Sequence, residues 1–222
     1  MKYNNVLFFA FLSSLLGLDV TAVAQTMVSR PIVAASIAGY LLGDLKTGVL
    51  IGAVIELVWI RVIPVGAVPP DTTVSSLLAT FWCIGGAAQG GGLTPGVMEN
   101  SRIMLSILMA IPFGMVFKKL DIVHRQFNTS LVHLVDREVE KQKYGIISKA
   151  VFLGATLFWL KAFVFYGLLF YPGALAVNFL EPALSGAVKS GLDTAFKLIP
   201  AAGIVAAFSM FSKRKHEDVQ PF

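Results

Sequence analysis

The sequence predicts an all-α, polytopic membrane protein with a re-entrant helical hairpin and broken helices. Two observations carry this. Of 222 residues, 56% are hydrophobic and only 14% charged, and the mean hydropathy is +0.75, whereas soluble domains are about 45–50% apolar and about 25% charged. Apolar windows also recur along the chain at roughly 5 to 24, 31 to 43, 46 to 62, 73 to 90, 101 to 117, 148 to 171 and 194 to 211, several of them near the ~20 residues that cross a bilayer.

The first window follows Lys2 and resembles a secretory signal. It leads into Asp19 and Gln25, not a small-residue cleavage site, and more apolar segments follow, so it reads as part of the membrane domain. The second and third windows are short, Gly-rich and joined by Gly43-Asp44-Leu45-Lys46-Thr47-Gly48. Neither is long enough to cross comfortably, and a re-entrant hairpin over 31–62 is expected, a device tolerated where backbone packs in protein or lines a wet cavity. Gly39 with Gly43, and Gly48 with Gly52, are spaced by four, which allows two helices to approach closely.

Residues 63–73 contain Pro64, Pro69 and Pro70 and are expected to be irregular, because proline lacks an amide donor and pushes its predecessor toward extended geometry. Asp71 before Thr-Thr-Val is a good N-cap for the next helix. Further on, the glycines of 85–92 lack the Lys-Ser/Thr of a phosphate loop and read as a membrane break.

Residues 118–147 are the one long polar segment. Lys118, Lys119, Arg125, Arg137, Lys141 and Lys143 face it toward the cytoplasm by the positive-inside rule, and Ile122, Val123, Phe127, Leu131, Leu134 and Val135 recur at helical spacing. An amphipathic helix is expected, on the membrane surface or against a partner, with a solvated connecting helix as the competing reading. The tail with Lys213-Arg214-Lys215 is placed on the same side. Two spans, 148–171 and 194–211, then lie between them, with the stretch bearing Pro172, Glu181, Pro182 and Lys189 interfacial or partly inserted. The whole reads as a single membrane domain of 1–222: N-terminal helices over 5–117, the cytoplasmic segment 118–147, and C-terminal helices with a basic tail over 148–222.

The net charge of +5 and pI near 9.4 raise the question of nucleic acid. The basic residues flank apolar windows, so they are a topology signal and no nucleic-acid partner is expected. Cys83 is the single cysteine, and His124, His133 and His216 lie in polar segments. No metal-ligand spacing, nucleophile pair or cofactor motif is present in the sequence, so no metal, cofactor or catalytic residue is expected. Candidates for ligand contact are polar groups set in apolar sequence: Asp19, Gln25, Arg30, Glu56 and Asp71, with Gly66 in the proline-rich stretch. Glu56 stands out because a carboxylate at a helix centre costs about 2.5–3.5 kcal/mol in a membrane unless paired or wet. A structural ion pair with Arg30, Lys46 or Arg61 is the competing role, as capping is for Asp71.

The order Leu18-Asp19, Gln25, Ser29-Arg30-Pro31-Ile32-Val33, Gly39 to Gly43-Asp44, Lys46-Thr47-Gly48, Ile51-Gly52-Ala53, Glu56-Leu57 and Gly66-Ala67-Val68-Pro69-Pro70-Asp71 resembles membrane subunit IIC of the mannose and sorbose type of bacterial phosphotransferase system. A weaker echo runs through Ile111-Pro112-Phe113-Gly114, Leu120-Asp121, Arg125, Asn128 and His133 to Arg137, and the likeness covers roughly 5 to 205. The resemblance implies a subunit of the bacterial inner membrane that binds a hexose-like sugar and carries it inward, in an oligomer. Its implied partners are a IID membrane subunit and cytoplasmic IIA and IIB proteins that relay phosphate from phosphoenolpyruvate. It also implies that Asp19, Gln25, Glu56 and Asp71 help line the sugar site. The sequence departs from the family where Pro64 replaces an Asn in a loop one residue shorter, and where relatives continue through further apolar segments after the point matching 201–211. A non-transporting scaffold or regulator derived from such a subunit is the alternative reading.

Overall fold

The computed structural model describes residues 3–19, 25–60, 71–90 and 98–217. Their regular elements are all helical, in the order α1 (Tyr3–Leu18), α2 (Pro31–Leu42), α3 (Leu45–Val58), α4 (Thr72–Thr80), a π-helical turn (Phe81–Gly85), α5 (Gly86–Gly90), α6 (Asn100–Glu140), α7 (Gly145–Ala183) and α8 (Gly186–Glu217). The last three are long and apolar enough to cross a membrane. The proline-rich stretch expected to be irregular, Gly66 included, lies outside the described residues up to residue 70.

The α2–α3 hairpin is made by missing side chains. A Cβ on Gly48 would stand 2.5 Å from the Ala35 carbonyl oxygen and 2.8 Å from the Gly39 Cα, and one on Gly52 would stand 2.6 Å from the Pro31 carbonyl oxygen. Helix backbones therefore touch along Gly39, Gly48 and Gly52. Gly43 serves differently from its expected packing role. It ends α2 in the left-handed region at φ +89°, where an added Cβ would meet nothing within 4 Å, so glycine is there for its backbone conformation, which it adopts without steric cost. The next amide, of Asp44, donates to the Gly39 carbonyl at 2.8 Å, closing the helix end. Asp44 then starts α3 by accepting from the Thr47 N–H at 3.0 Å and the Thr47 hydroxyl at 2.6 Å.

The hairpin packs on α4, which also lies along α6. The sequence of α4 looks too polar for a core, yet Thr73 through Thr80 are all buried. Its hydroxyls turn back onto its own carbonyls, Ser76 Oγ to Thr73 at 2.9 Å and Thr80 Oγ1 to Ser76 at 2.8 Å, so they enter an apolar layer already satisfied. Asp71 caps the helix, accepting from the Val74 N–H at 2.9 Å. Its own N–H donates to the Gly114 carbonyl of α6 at 3.3 Å, and any Cβ on Gly114 would collide with Ser75 and with the Asp71 carbonyl. Beyond α4 an aromatic column joins α1 to α7: Phe9 lies edge-on to Phe81 at 5.6 Å, Phe81 stacks on Phe170 at 4.2 Å, and Phe170 on Tyr166 at 5.3 Å.

Three boundaries differ from expectation. The polar segment from residue 118 is no separate surface helix but the continuation of α6, 41 residues in all. That is about 60 Å, twice the ~30 Å hydrocarbon core. The stretch around Pro172 is no interfacial break, since α7 runs without interruption to Ala183. Pro172 removes the bond to the Leu168 carbonyl, but the adjoining Leu169 carbonyl takes the Trp82 indole N–H at 3.0 Å. Gly173 provides the room, because a Cβ there would overlap that indole ring. The Trp82 indole thus ties α7 to its neighbour beside the proline. Finally, α8 starts at Gly186 rather than near 194.

Gly48→Ala is expected to lower stability by about 1–3 kcal/mol, the usual cost of overpacking, because both opposing atoms are backbone. Gly17→Ala, at a site with nothing within 4 Å, should not. Thermal unfolding of the two variants in detergent checks the pair, and equal midpoints would rule out backbone contact in the hairpin.

Candidate functional site

The polar candidates gather around one short segment, residues 25–30. Asp19, just past the end of α1, reaches it with both oxygens: Oδ1 accepts from the Thr26 N–H at 2.7 Å and the Thr26 hydroxyl at 2.9 Å, and Oδ2 from the Ser29 N–H at 3.2 Å and the Ser29 hydroxyl at 3.1 Å. The carboxylate is used up in holding this loop. The loop needs holding, because Gln25 and Met27 have φ of 52° and 65°, left-handed conformations that are unfavourable outside glycine and persist where surroundings enforce them. From the far side, the Thr73 hydroxyl donates to the Ser29 carbonyl at 2.6 Å, which ties the loop to the turn capped by Asp71.

Arg30, the next residue, pairs with Glu56 of α3 at 2.6 Å, the side chains being 61% and 26% exposed. Of the ion pairs open to Glu56 in the sequence, the one with Arg30 forms, and Arg61 lies outside the described residues. It engages one carboxylate oxygen, and Oε2 is buried without a partner among the described residues. Asp19, Gln25, Arg30, Glu56 and Asp71 thus converge on the 25–30 segment and the groups that touch it.

Gln25 also lines a cleft of about 710 Å³ between α6 and α7, within the ~300–1,000 Å³ typical of ligand pockets. Polar groups of α6 stand at one end, among them Asp121, His124, Arg125 and Asn128, and apolar side chains of both helices, including Phe158, make the rest. The wall is braced by an ion pair between Lys161 and Asp121, both largely buried. The Lys161 ammonium also lies over the rings of Phe158 at 4.1 Å and Phe117 at 4.5 Å, where the ring quadrupole attracts a cation. Among the described residues no group of three or more His, Cys, Asp or Glu side chains is disposed to hold a metal ion.

A second polar cluster holds the core together. Arg102 of α6 is 2% exposed. It donates to the Cys83 carbonyl at 2.9 Å and the Trp82 carbonyl at 3.5 Å in the π-helical turn, to Asn178 Oδ1 at 2.7 Å, and to Glu181, both on α7. Asn178 in turn donates to the Gly86 carbonyl at 2.8 Å. A π-turn inserts a residue into the helical ladder and frees carbonyls, and Arg102 and Asn178 satisfy them. Sequence reasoning passed over Arg102 and Lys161, although an ionisable residue within an apolar window is itself the signal. Asn178 carries no such mark.

Fold and site together define a polytopic helical membrane protein with a cleft of mixed apolar and polar lining beside a clamped, strained loop. The family model described as "PTS system sorbose-specific iic component" matches residues 4–218, and the chain belongs to that family. It is similar to the sorbose-specific EIIC component of Lacticaseibacillus casei, 26% identical over 90% of this chain and 68% of that one. The likeness to the mannose-specific EIIC component of Escherichia coli strain K12 is 26% identity over 82% of this chain and 64% of that one. The chain therefore spans about two thirds of the length of these relatives. A shorter stretch, 28% of the chain, is 44% identical to the fructose permease IIC component of Bacillus subtilis strain 168. A solved chain described as "Structure of membrane protein" superimposes with a TM-score of 0.69 over 93% of this chain and 77% of that one, at 22% identity, which is a likeness of fold.

Breaking the Arg102 cluster from one side, as in Arg102→Met, should destabilise the protein by up to about 3–5 kcal/mol by leaving the partly buried Glu181 without its partner. Arg102→Met with Glu181→Leu should recover part of that loss. Denaturation in detergent measures both, and a double variant no better than the single would show that Arg102 acts on the π-turn carbonyls alone.

Proposed function

We propose that this chain is the sugar-translocating membrane subunit of a phosphoenolpyruvate-dependent phosphotransferase system in the bacterial inner membrane. It works with a IID membrane subunit and with cytoplasmic IIA and IIB proteins, which carry the phosphoryl transfer, and it assembles as an oligomer. The substrate is a hexose-like sugar. The observation that carries this reading is Gln25, held in a strained backbone by the Asp19 clamp at a cleft whose lining mixes apolar walls with a few polar groups. Such a lining suits a sugar, which offers C–H faces and hydroxyls at once.

The substrate-binding set is Asp19, Gln25, Arg30, Glu56, Gly66 and Asp71. Asp19 and Asp71 act by shaping backbone, since their carboxylates are engaged in the loop clamp and the helix cap. Gln25 is exposed to hydroxyls, and Glu56 keeps one oxygen without a partner among the described residues. The α2 and α3 helices, 12 and 14 residues, are about 18 and 21 Å long and enter the bilayer as a re-entrant pair. The α6–α7 turn and the basic tail face the cytoplasm, and the whole is one membrane domain.

The test is uptake and phosphorylation of labelled L-sorbose, D-mannose and D-fructose by membranes carrying the protein with its partners, against the same membranes with Glu56→Gln. For the sugar that is accepted, the variant is expected to lose at least about tenfold in kcat/KM, the worth of one good hydrogen bond to a charged group. Unaltered uptake removes Glu56 from the site. No uptake by the intact complex turns the reading toward a non-transporting scaffold.

A further inference from the structure

The buried hydroxyls of α4 belong to Thr73, Ser75, Ser76 and Thr80, and they are used in two ways. Ser75, Ser76 and Thr80 donate to carbonyls of their own helix or its cap, at 3.2, 2.9 and 2.8 Å, the usual way for a hydroxyl to enter an apolar layer. Thr73 reaches out of the helix instead. Its Oγ1 donates over 2.6 Å to the carbonyl of Ser29, 44 residues earlier in the chain. Its place as the second residue of α4 permits this, because no helical carbonyl stands four residues before it.

Ser29 is where that bond matters. Its N–H and its hydroxyl both go to Asp19 Oδ2, at 3.2 and 3.1 Å, and among the described residues its carbonyl has no partner but Thr73. The next residue, Arg30, opens α2 without a side-chain cap and pairs with Glu56. Upstream, Gln25 and Met27 are left-handed at φ 52° and 65°, so the loop is disfavoured by its own dihedrals and depends on what holds it. The Asp19 bonds tie it to the end of α1. The Thr73 bond registers it against α4 and, through the Asp71 N–H on the Gly114 carbonyl at 3.3 Å, against α6. Gln25 and Arg30, both exposed, stand at the two ends of the segment held in this way.

We infer that Thr73 is a positioning residue of the sugar site: its hydroxyl, bonded to the Ser29 carbonyl, sets where Gln25 and Arg30 stand and so fixes the affinity for the sugar without touching it. This rests on the sugar-translocating reading and adds to it a residue outside the binding set. A loop held in its binding conformation loses little conformational entropy when the ligand arrives, and a slack one loses more. Loss of the bond is therefore expressed in affinity, while the step that follows binding is unaltered.

The experiment is uptake of labelled L-sorbose, D-mannose and D-fructose by membranes carrying the full chain and its partner subunits. KM and kcat are measured separately for the unmodified protein, Thr73→Val, Thr73→Ser and Ser76→Ala, at matched amounts of protein. Thr73→Val keeps the shape of the side chain and removes the donor. For the sugar that is accepted it raises KM about tenfold, the worth of one hydrogen bond whose acceptor is left unmatched, with kcat unchanged. Thr73→Ser keeps the hydroxyl and returns KM toward the unmodified value. Ser76→Ala, which removes a hydroxyl spent inside α4, leaves KM as it was. The inference is overturned, and the translocation reading stands, if Thr73→Val leaves KM unchanged or lowers kcat alone, if Thr73→Ser does no better than Thr73→Val, or if Ser76→Ala raises KM by the same factor. Should Thr73→Val fail to accumulate, Thr73→Cys, with a weakly donating thiol in the same place, takes over with the same expected rise in KM. Failure of both to accumulate makes Thr73 a structural residue and ends the inference. If the unmodified complex takes up none of the three sugars, both readings fall.

Discussion

A guanidinium with 2% of its surface exposed has to find its hydrogen-bond partners inside the protein, because an unpaired buried charge costs several kcal/mol. Much of the architecture meets that demand at Arg102. The π-helical turn supplies two carbonyls, and α7 supplies Asn178 and Glu181. Those two residues come after Pro172 in the chain, so α7 has to stay helical through the proline to deliver them. Trp82, inside the same turn, secures the helix at that point by donating to Leu169. The proline, the π-turn and the buried arginine are thus one arrangement seen from three helices.

The loop at 25–30 is governed by the same rule on a smaller scale. Four donors converge on the Asp19 carboxylate, and the left-handed conformations of Gln25 and Met27 are maintained by that convergence. A loop fixed in this way loses little conformational entropy when it meets a ligand, the benefit of preorganisation. Its position depends on packing elsewhere. The Thr73 hydroxyl that grips Ser29 sits on α4, and α4 is held against α6 through Gly114, where the absent side chain lets Asp71 reach the helix backbone.

The length of α6 and α7 sets where the cleft lies. Both exceed what the hydrocarbon core requires, and the cleft occupies the polar half of α6, from Gln25 and Asp121 toward the α6–α7 turn. The outer surfaces of α7 and α8 are the reverse. Only 11% and 6% of their apolar windows are buried within the chain, with Phe179 and Phe208 among the exposed side chains, which is the state expected of surfaces that meet lipid or another membrane subunit.

Much of this was legible in the amino-acid sequence, and for local reasons. Composition alone identifies a membrane protein. Asp71 before Thr-Thr-Val announces a cap, the four-residue glycine spacing announces close helices, and the polar residues set in apolar sequence mark the region that the Asp19 clamp organises. Each is a property of neighbouring residues, so one dimension suffices. What only the tertiary structure decided involves partners far apart in the chain: that Pro172 does not end a helix, α7 running on to Ala183 with the Trp82 indole on the Leu169 carbonyl; that Glu56 pairs with Arg30; and that Gly43 turns the chain while Gly48 packs it. Hydrogen-bond satisfaction in a low-dielectric interior is settled by whichever groups folding brings within about 3 Å, and sequence separation does not encode that distance.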